Sequence, residues 1–226
     1  MKWIAEKRSH LNHYDLLVLT LIFFGAPIYW SNIGLLTGDS MTQAVGPEAS
    51  FTDDDNLGSL IHQLGLLAIG LVYLHWRRFD WRSLSWGISW QMTLLGVVVY
   101  LGLSCFADLS FYTLALLTSW DVWHPNGFGA IFPQSLSLMM YSFFNGFYEE
   151  LFFLGLFLAV PKERLWLTLA LSLLVRFSFH TYQGMVPAAV IGLTGIPMAL
   201  LYLRVKKLWP FFVAHAMGDM FGYGLV

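Results

Sequence analysis

The stretch Phe147-Tyr148-Glu149-Glu150-Leu151-Phe152-Phe153-Leu154-Gly155 decides how the chain is read, because it sets two adjacent carboxylates in an otherwise apolar run from Leu136 to Val160. A charged side chain at the centre of a bilayer costs about 2.5–3.5 kcal/mol on insertion scales. Two in succession, with no Lys or Arg in the same run, require partners from other helices.

The surroundings are those of a membrane protein. Of 226 residues, 57% are hydrophobic and only 12% charged, and the mean hydropathy is +0.62. A soluble domain is about 25% charged. Several apolar runs reach the roughly 20 residues that cross a bilayer as helix. Ten Trp and ten Tyr suit interfacial belts and interhelical packing. The single Cys105 lies in an apolar run, which excludes an intrachain disulfide and a cysteine-based metal motif. No cleavable leader is expected, since the first apolar run is of spanning length and lacks a small-residue cleavage site.

The predicted architecture is all-α: a polytopic bundle of about seven spans, one integral membrane domain over residues 1–226. The spans are Leu16 to Leu36, bent near Pro27; Leu57 to His75; about 87–106, with a break at Asp108 and an interfacial or re-entrant piece after it; Gln134 to Val160; Leu165 to about Tyr182; Met185 to Leu203; and Leu208 to Val226. Residues 1–14 are a short polar terminus. Thr37 to Asn56 and Ser119 to Pro133 are loops without Lys or Arg, and Asp53-Asp54-Asp55 is a solvated approach to a helix N-terminus, where negative charge is favourable. With the N-terminus in the cytoplasm, eleven of the twelve Lys and Arg fall on the cytoplasmic side, as the positive-inside rule requires. The twelfth is Arg176, inside the fifth span.

Four more polar residues join the glutamates. Arg176 and His180 are spaced i, i+4 on the fifth span, and His215 and Asp219 have the same spacing on the seventh, so each pair shares one helix face. At 1.5 Å per residue, Glu149 and His180 lie roughly 18–24 Å from the cytoplasmic ends and His215 about 11 Å, so tilted or kinked helices are needed to bring them together. Glu149 and Glu150 differ by about 100° around their helix. Both cannot then point at one histidine, and one is expected to be catalytic while the other pairs with Arg176 or with freed backbone amides. Ionised throughout, with neutral histidines, the cluster would carry −2, so an extra proton is expected on a glutamate or a histidine. Such a group suits general acid–base chemistry. His62, His75 and His124 have no partner pattern and read as packing, interfacial and loop residues.

The motifs Glu149-Glu150-Leu-Phe-Phe-Leu154-Gly155, Arg176-Phe-Ser-Phe-His180 and His215-Ala-Met-Gly-Asp219 resemble, in order and spacing, those of the CPBP family of intramembrane proteases, which includes CAAX prenyl endopeptidases and bacteriocin-processing or immunity proteins. The resemblance covers about residues 135–221. It implies a membrane-embedded endopeptidase acting near the terminus of a membrane-associated or sorted protein. In it Glu149 and His180 would activate water, Glu150 would belong to the same catalytic group, and His215 and Asp219 would stabilise the oxyanion. Two departures stand out: the family's arginine position holds Leu154, and its phenylalanine position holds Arg176. Together they read as an exchange of one guanidinium between helices. No cofactor is expected, with zinc held by Glu149, His180 and His215 as the alternative; no His-Glu-x-x-His motif is present. The expected partners are a peptide or protein substrate and the lipid bilayer, with no nucleic acid, in the plasma membrane of a bacterium or archaeon. The competing functions are a non-catalytic binding or immunity protein, favoured by Leu154, and an ion-coupled transporter, disfavoured by the lack of inverted repeats.

Overall fold

A computed structural model describes residues 10–37, 52–118 and 135–222, and within them every regular element is helical. Seven α-helices follow one another: α1 (His13–Thr37), α2 (Asp53–Trp76), α3 (Trp90–Thr118), α4 (Leu136–Glu150), α5 (Leu165–His180), α6 (Met185–Val205) and α7 (Trp209–Phe221). The chain is a polytopic helical bundle. Four segments, His13–Thr37, Asp53–Trp76, Trp90–Leu114 and Met185–Val205, are long and apolar enough to cross a membrane. The shorter α4, α5 and α7 carry Glu149, Glu150, Arg176 and His215, which are buried as Asp15 of α1 is. The expectations for residues 1–9, the loops over 38–51 and 119–134, His124 and the end of the seventh span over 223–226 lie outside the described residues.

Two expectations are corrected. The helix at α3 does not break at Asp108 but runs on to Thr118. No Pro or Gly interrupts residues 103–118, and Ser110 and Thr113 return their hydroxyl protons to the carbonyls of Phe106 and Leu109, both at 2.7 Å, a bond a Ser or Thr makes without leaving the helix. A half-buried aspartate alone does not stop such a segment. Asp53, Asp54 and Asp55 form the first turn of α2 instead of a loop before it. There Thr52 and Asp55 make a reciprocal capping box, and Asp53 accepts a hydrogen bond from Ser137 of α4, so the acidic run caps α2 and ties it to α4.

α7 packs between α3 and α4, α4 also meets α2, and α1 lies against α2 and α5. The stretch quoted at the outset is deeply buried: Tyr148, Leu151, Phe152, Phe153 and Leu154 are all sealed from solvent, as is Leu156 just after it. α1 covers it with Phe23 and Phe24, whose rings lie 4.9 Å from Tyr148 and 4.8 Å from Phe152. Helix α1 continues through Pro27. Proline has no N–H, which releases the carbonyl four residues earlier; that carbonyl, of Phe23, accepts the Tyr148 hydroxyl at 2.8 Å. α1 also closes the open end of α5. Ser31 donates to the carbonyl of Phe179 at 2.7 Å and Asn32 to that of Ser178 at 3.0 Å, satisfying two of the carbonyls a helix leaves unpaired at its C-terminus. Beyond His180 a 3₁₀ turn over Thr181–Gln183 ends at Gly184, whose φ of 101° only glycine adopts freely.

Two features bring the short helices together. Directly after Glu150 the backbone widens into a π-helical segment, Leu151–Leu156, and the Phe157 amide donates to the Phe152 carbonyl five residues back at 2.8 Å. This is the distortion that the mismatched depths of the polar residues call for. On the preceding turn, Gly146 lets α4 press on the backbone of α7: a Cβ there would lie 2.8 Å from the Ala216 nitrogen and 2.9 Å from the Phe212 oxygen. Since both atoms are main chain, Gly146→Ala must push the helices apart. It should destabilise the protein by about 1–3 kcal/mol, read as a lowered unfolding midpoint in detergent, and separate Glu149 and Glu150 from His215.

Candidate active site

Four helices supply the site. From α4, the periodicity of four puts Tyr141, Asn145 and Glu149 on one face and Ser142, Gly146 and Glu150 on the next. Glu149 is 4% exposed and Glu150 not at all. α7 contributes His215 and Asp219, and α5 contributes Arg176 and His180.

Glu150 is held from two sides through a single oxygen. Its Oε1 accepts from Arg176 Nη2 at 2.8 Å and lies 2.6 Å from His215 Nδ1. The guanidinium of Arg176 rests over the Phe153 ring, 4.3 Å from its centroid, a cation–π contact that suits a desolvated site. α6 makes room for it at Gly195, where a Cβ would fall 3.4 Å from Arg176 Cδ. The expected pairing of one glutamate with Arg176 therefore falls to Glu150.

The other nitrogen of His215, Nε2, faces two carboxylates, Glu149 Oε2 at 3.7 Å and Asp219 Oδ1 at 3.6 Å. Both glutamates thus address one histidine, against the expectation drawn from their 100° separation. The reason is that an imidazole has two nitrogens on different edges. With α4 and α7 in backbone contact at Gly146, the ring of His215 fits between consecutive side chains and gives each glutamate its own nitrogen.

Asn145, which the sequence reading passed over, completes the cluster. Its Nδ2 donates to Glu149 Oε1 at 3.2 Å and to Asp219 Oδ2 at 2.8 Å, and its Oδ1 accepts from Gln63 Nε2 of α2 at 2.6 Å. The available signal was its position four residues before Glu149 on the same face. The phenols of Tyr141 and Tyr182 lie within electrostatic reach of both Glu149 and Asp219.

His180 stands apart. Its ring packs on Phe179, with centroids 4.1 Å apart, and both ring nitrogens are buried without a hydrogen-bond partner. It does not hydrogen-bond Glu149, the partner the sequence suggested. Glu149 Oε2 and Glu150 Oε2 are likewise buried and unbonded. Buried polar atoms without partners are rare in native structures; the others among the described residues are Gln63 Oε1, Ser104 Oγ and Ser142 Oγ. Leu154 is packed in the core of the π-helical segment. Among the described residues no three His, Cys, Asp or Glu side chains are grouped so as to hold a metal ion.

Residues 131–221 match the family model described as Type II CAAX prenyl endopeptidase Rce1-like. That segment runs from the approach to α4 through the end of α7 and includes Glu149, Glu150, Arg176, His180, His215 and Asp219. The resemblance drawn from the three motifs is borne out over the part of the chain that carries them. No curated protein and no solved structure matches the chain.

Proposed function

We propose that this chain, like the endopeptidase family it matches, is an intramembrane peptidase that hydrolyses a peptide bond near the terminus of a membrane-associated or sorted protein. The observation that carries the reading is Glu149 Oε2, a buried carboxylate oxygen with no hydrogen bond, 3.7 Å from a histidine nitrogen. Two groups that close can contact one water between them. Water attacks the scissile carbonyl carbon as its proton passes to Glu149 Oε2. The carbonyl oxygen then carries the negative charge. His215, protonated on both ring nitrogens, donates from Nε2 to that oxygen while Nδ1 donates to Glu150. When the tetrahedral species collapses, the carbon–nitrogen bond breaks and the proton on Glu149 passes to the leaving amine. Glu150 and Arg176 fix the ring of His215 as a carboxylate orients the imidazole in other hydrolases. His180, with two unbonded nitrogens, supplies a further contact to the substrate carbonyl or to the water. Asp219 holds the edge of the site.

Arg176 on Glu150 also bears on Leu154. A guanidinium reaches the glutamate pair from α5 in place of one from α4, so Leu154 does not weigh against catalysis. In this reading the bundle lies in the plasma membrane of a bacterium or archaeon, with the N-terminus in the cytoplasm.

The test compares protein termini in membrane and secreted fractions from cells carrying the wild type, His180→Ala or His215→Ala. A common set of termini lost in both variants is expected, and it names the substrate class. Unchanged termini in both, with each variant folded, would leave the binding reading in its place.

A further inference from the structure

The amide of Asn145 meets Glu149 Oε1, Asp219 Oδ2 and Gln63 Nε2. An amide nitrogen has two protons to give, and here each goes to a different carboxylate, one on its own helix and one on α7. Since a carboxylate offers only acceptors, the nitrogen of Asn145 must face them, and its oxygen is left to face α2, where Gln63 donates to it. Occupying Oε1 leaves Oε2 as the one oxygen of Glu149 without a hydrogen bond, on the side of His215 Nε2. We infer that Asn145 is a positioning residue that selects Oε2 as the proton-accepting oxygen of Glu149 and fixes its distance from Asp219, and that Gln63 locks the orientation of the Asn145 amide from α2. Nothing in the three motifs includes either residue. The inference rests on the peptidase reading for its effect on rate, and on geometry alone for its effect on the two carboxylates.

The informative variants act on hydrogen-bond direction. Asn145→Leu removes both donors. Gln63→Glu puts an acceptor where the donor was, so the Asn145 amide turns over to donate to it and presents Oδ1 to Glu149 and Asp219. Gln63→Leu removes the lock but leaves the two carboxylates to orient the amide. Cleavage of a membrane-reconstituted peptide substrate should fall about 10- to 100-fold in kcat for Asn145→Leu and for Gln63→Glu, the range of one charged hydrogen bond. KM should stay unchanged, and Gln63→Leu should be mild. The infrared carboxylate bands of Glu149 and Asp219, identified by subtracting the spectra of Glu149→Gln and Asp219→Asn, should move in the same two variants. Wild-type kcat in both, or unmoved bands in protein that unfolds at the wild-type temperature, would overturn the inference. Should Asn145→Leu fail to fold, the half-buried Gln63→Glu decides. Should the wild type cleave nothing, the peptidase reading falls and the infrared bands alone decide the positioning role.

Discussion

Glu149→Gln lowers kcat/KM for peptide cleavage by about 10²- to 10⁴-fold, the contribution of a well-placed general base, while the protein unfolds at or above the wild-type temperature. The substitution keeps the shape of the side chain and its acceptor toward Asn145, so what is lost is the ability to take a proton from water at the second position. Stability should hold because one carboxylate is withdrawn from a site where three surround one imidazole, Glu149, Glu150 and Asp219 about His215. Loss of activity together with loss of fold would mean that Glu149 is structural. The decisive pattern is a dead enzyme with an intact or raised unfolding midpoint, measured on the same detergent preparation.

The second large effect is on stability. Arg176→Leu deprives Glu150, fully buried, of its guanidinium and leaves it the imidazole of His215, 2.6 Å away; removing one partner of a buried ion pair costs about 3–5 kcal/mol. Arg176→Leu with Glu150→Gln should recover much of that loss, because the deficit comes from a carboxylate that has lost its guanidinium and not from missing packing. Recovery of stability without activity would follow, since His215 then lacks the carboxylate that orients Nδ1. Arg176→Leu with Leu154→Arg tests the exchange of guanidinium between helices. Restored cleavage in that double variant means that α4 can deliver the charge as well as α5. If neither double variant unfolds at a higher temperature than Arg176→Leu, the ion pair is not what holds these helices together.

Much of this was legible in the chain before any coordinates. Apolar runs of bilayer length give the helices because a backbone in lipid must satisfy its own hydrogen bonds, and the i, i+4 spacings of Arg176 with His180 and His215 with Asp219 mark polar faces directly. What the spacings do not carry is how helices approach each other. That Glu149 and Glu150 meet different nitrogens of one ring depends on backbone contact at Gly146 and on the widened turn after Glu150, neither of which leaves a periodic trace. Asn145 and Gln63 were missed because a lone amide in an apolar helix has no pattern until its partners are known. Asp108 misled in the opposite direction, since a single acidic residue resembles a helix end yet does not make one when backbone and hydroxyl bonds continue past it.

The contacts that complete α1 have a consequence for how the protein is made. Its free carbonyl at Phe23 and the side chains of Ser31 and Asn32 find their partners in Tyr148, Phe179 and Ser178, between 125 and 148 positions further along the chain. α1 precedes α4 and α5 in the chain and is thus completed only after they have been made. Until α4 and α5 are in place, the Phe23 carbonyl and the Ser31 hydroxyl lack these partners, and a chain stopped short of Tyr148 never supplies any of them. A quality-control protease that reads unpaired polar groups in the membrane would find its signal on α1 of an unfinished molecule, and would lose it only when the residues of the site had arrived.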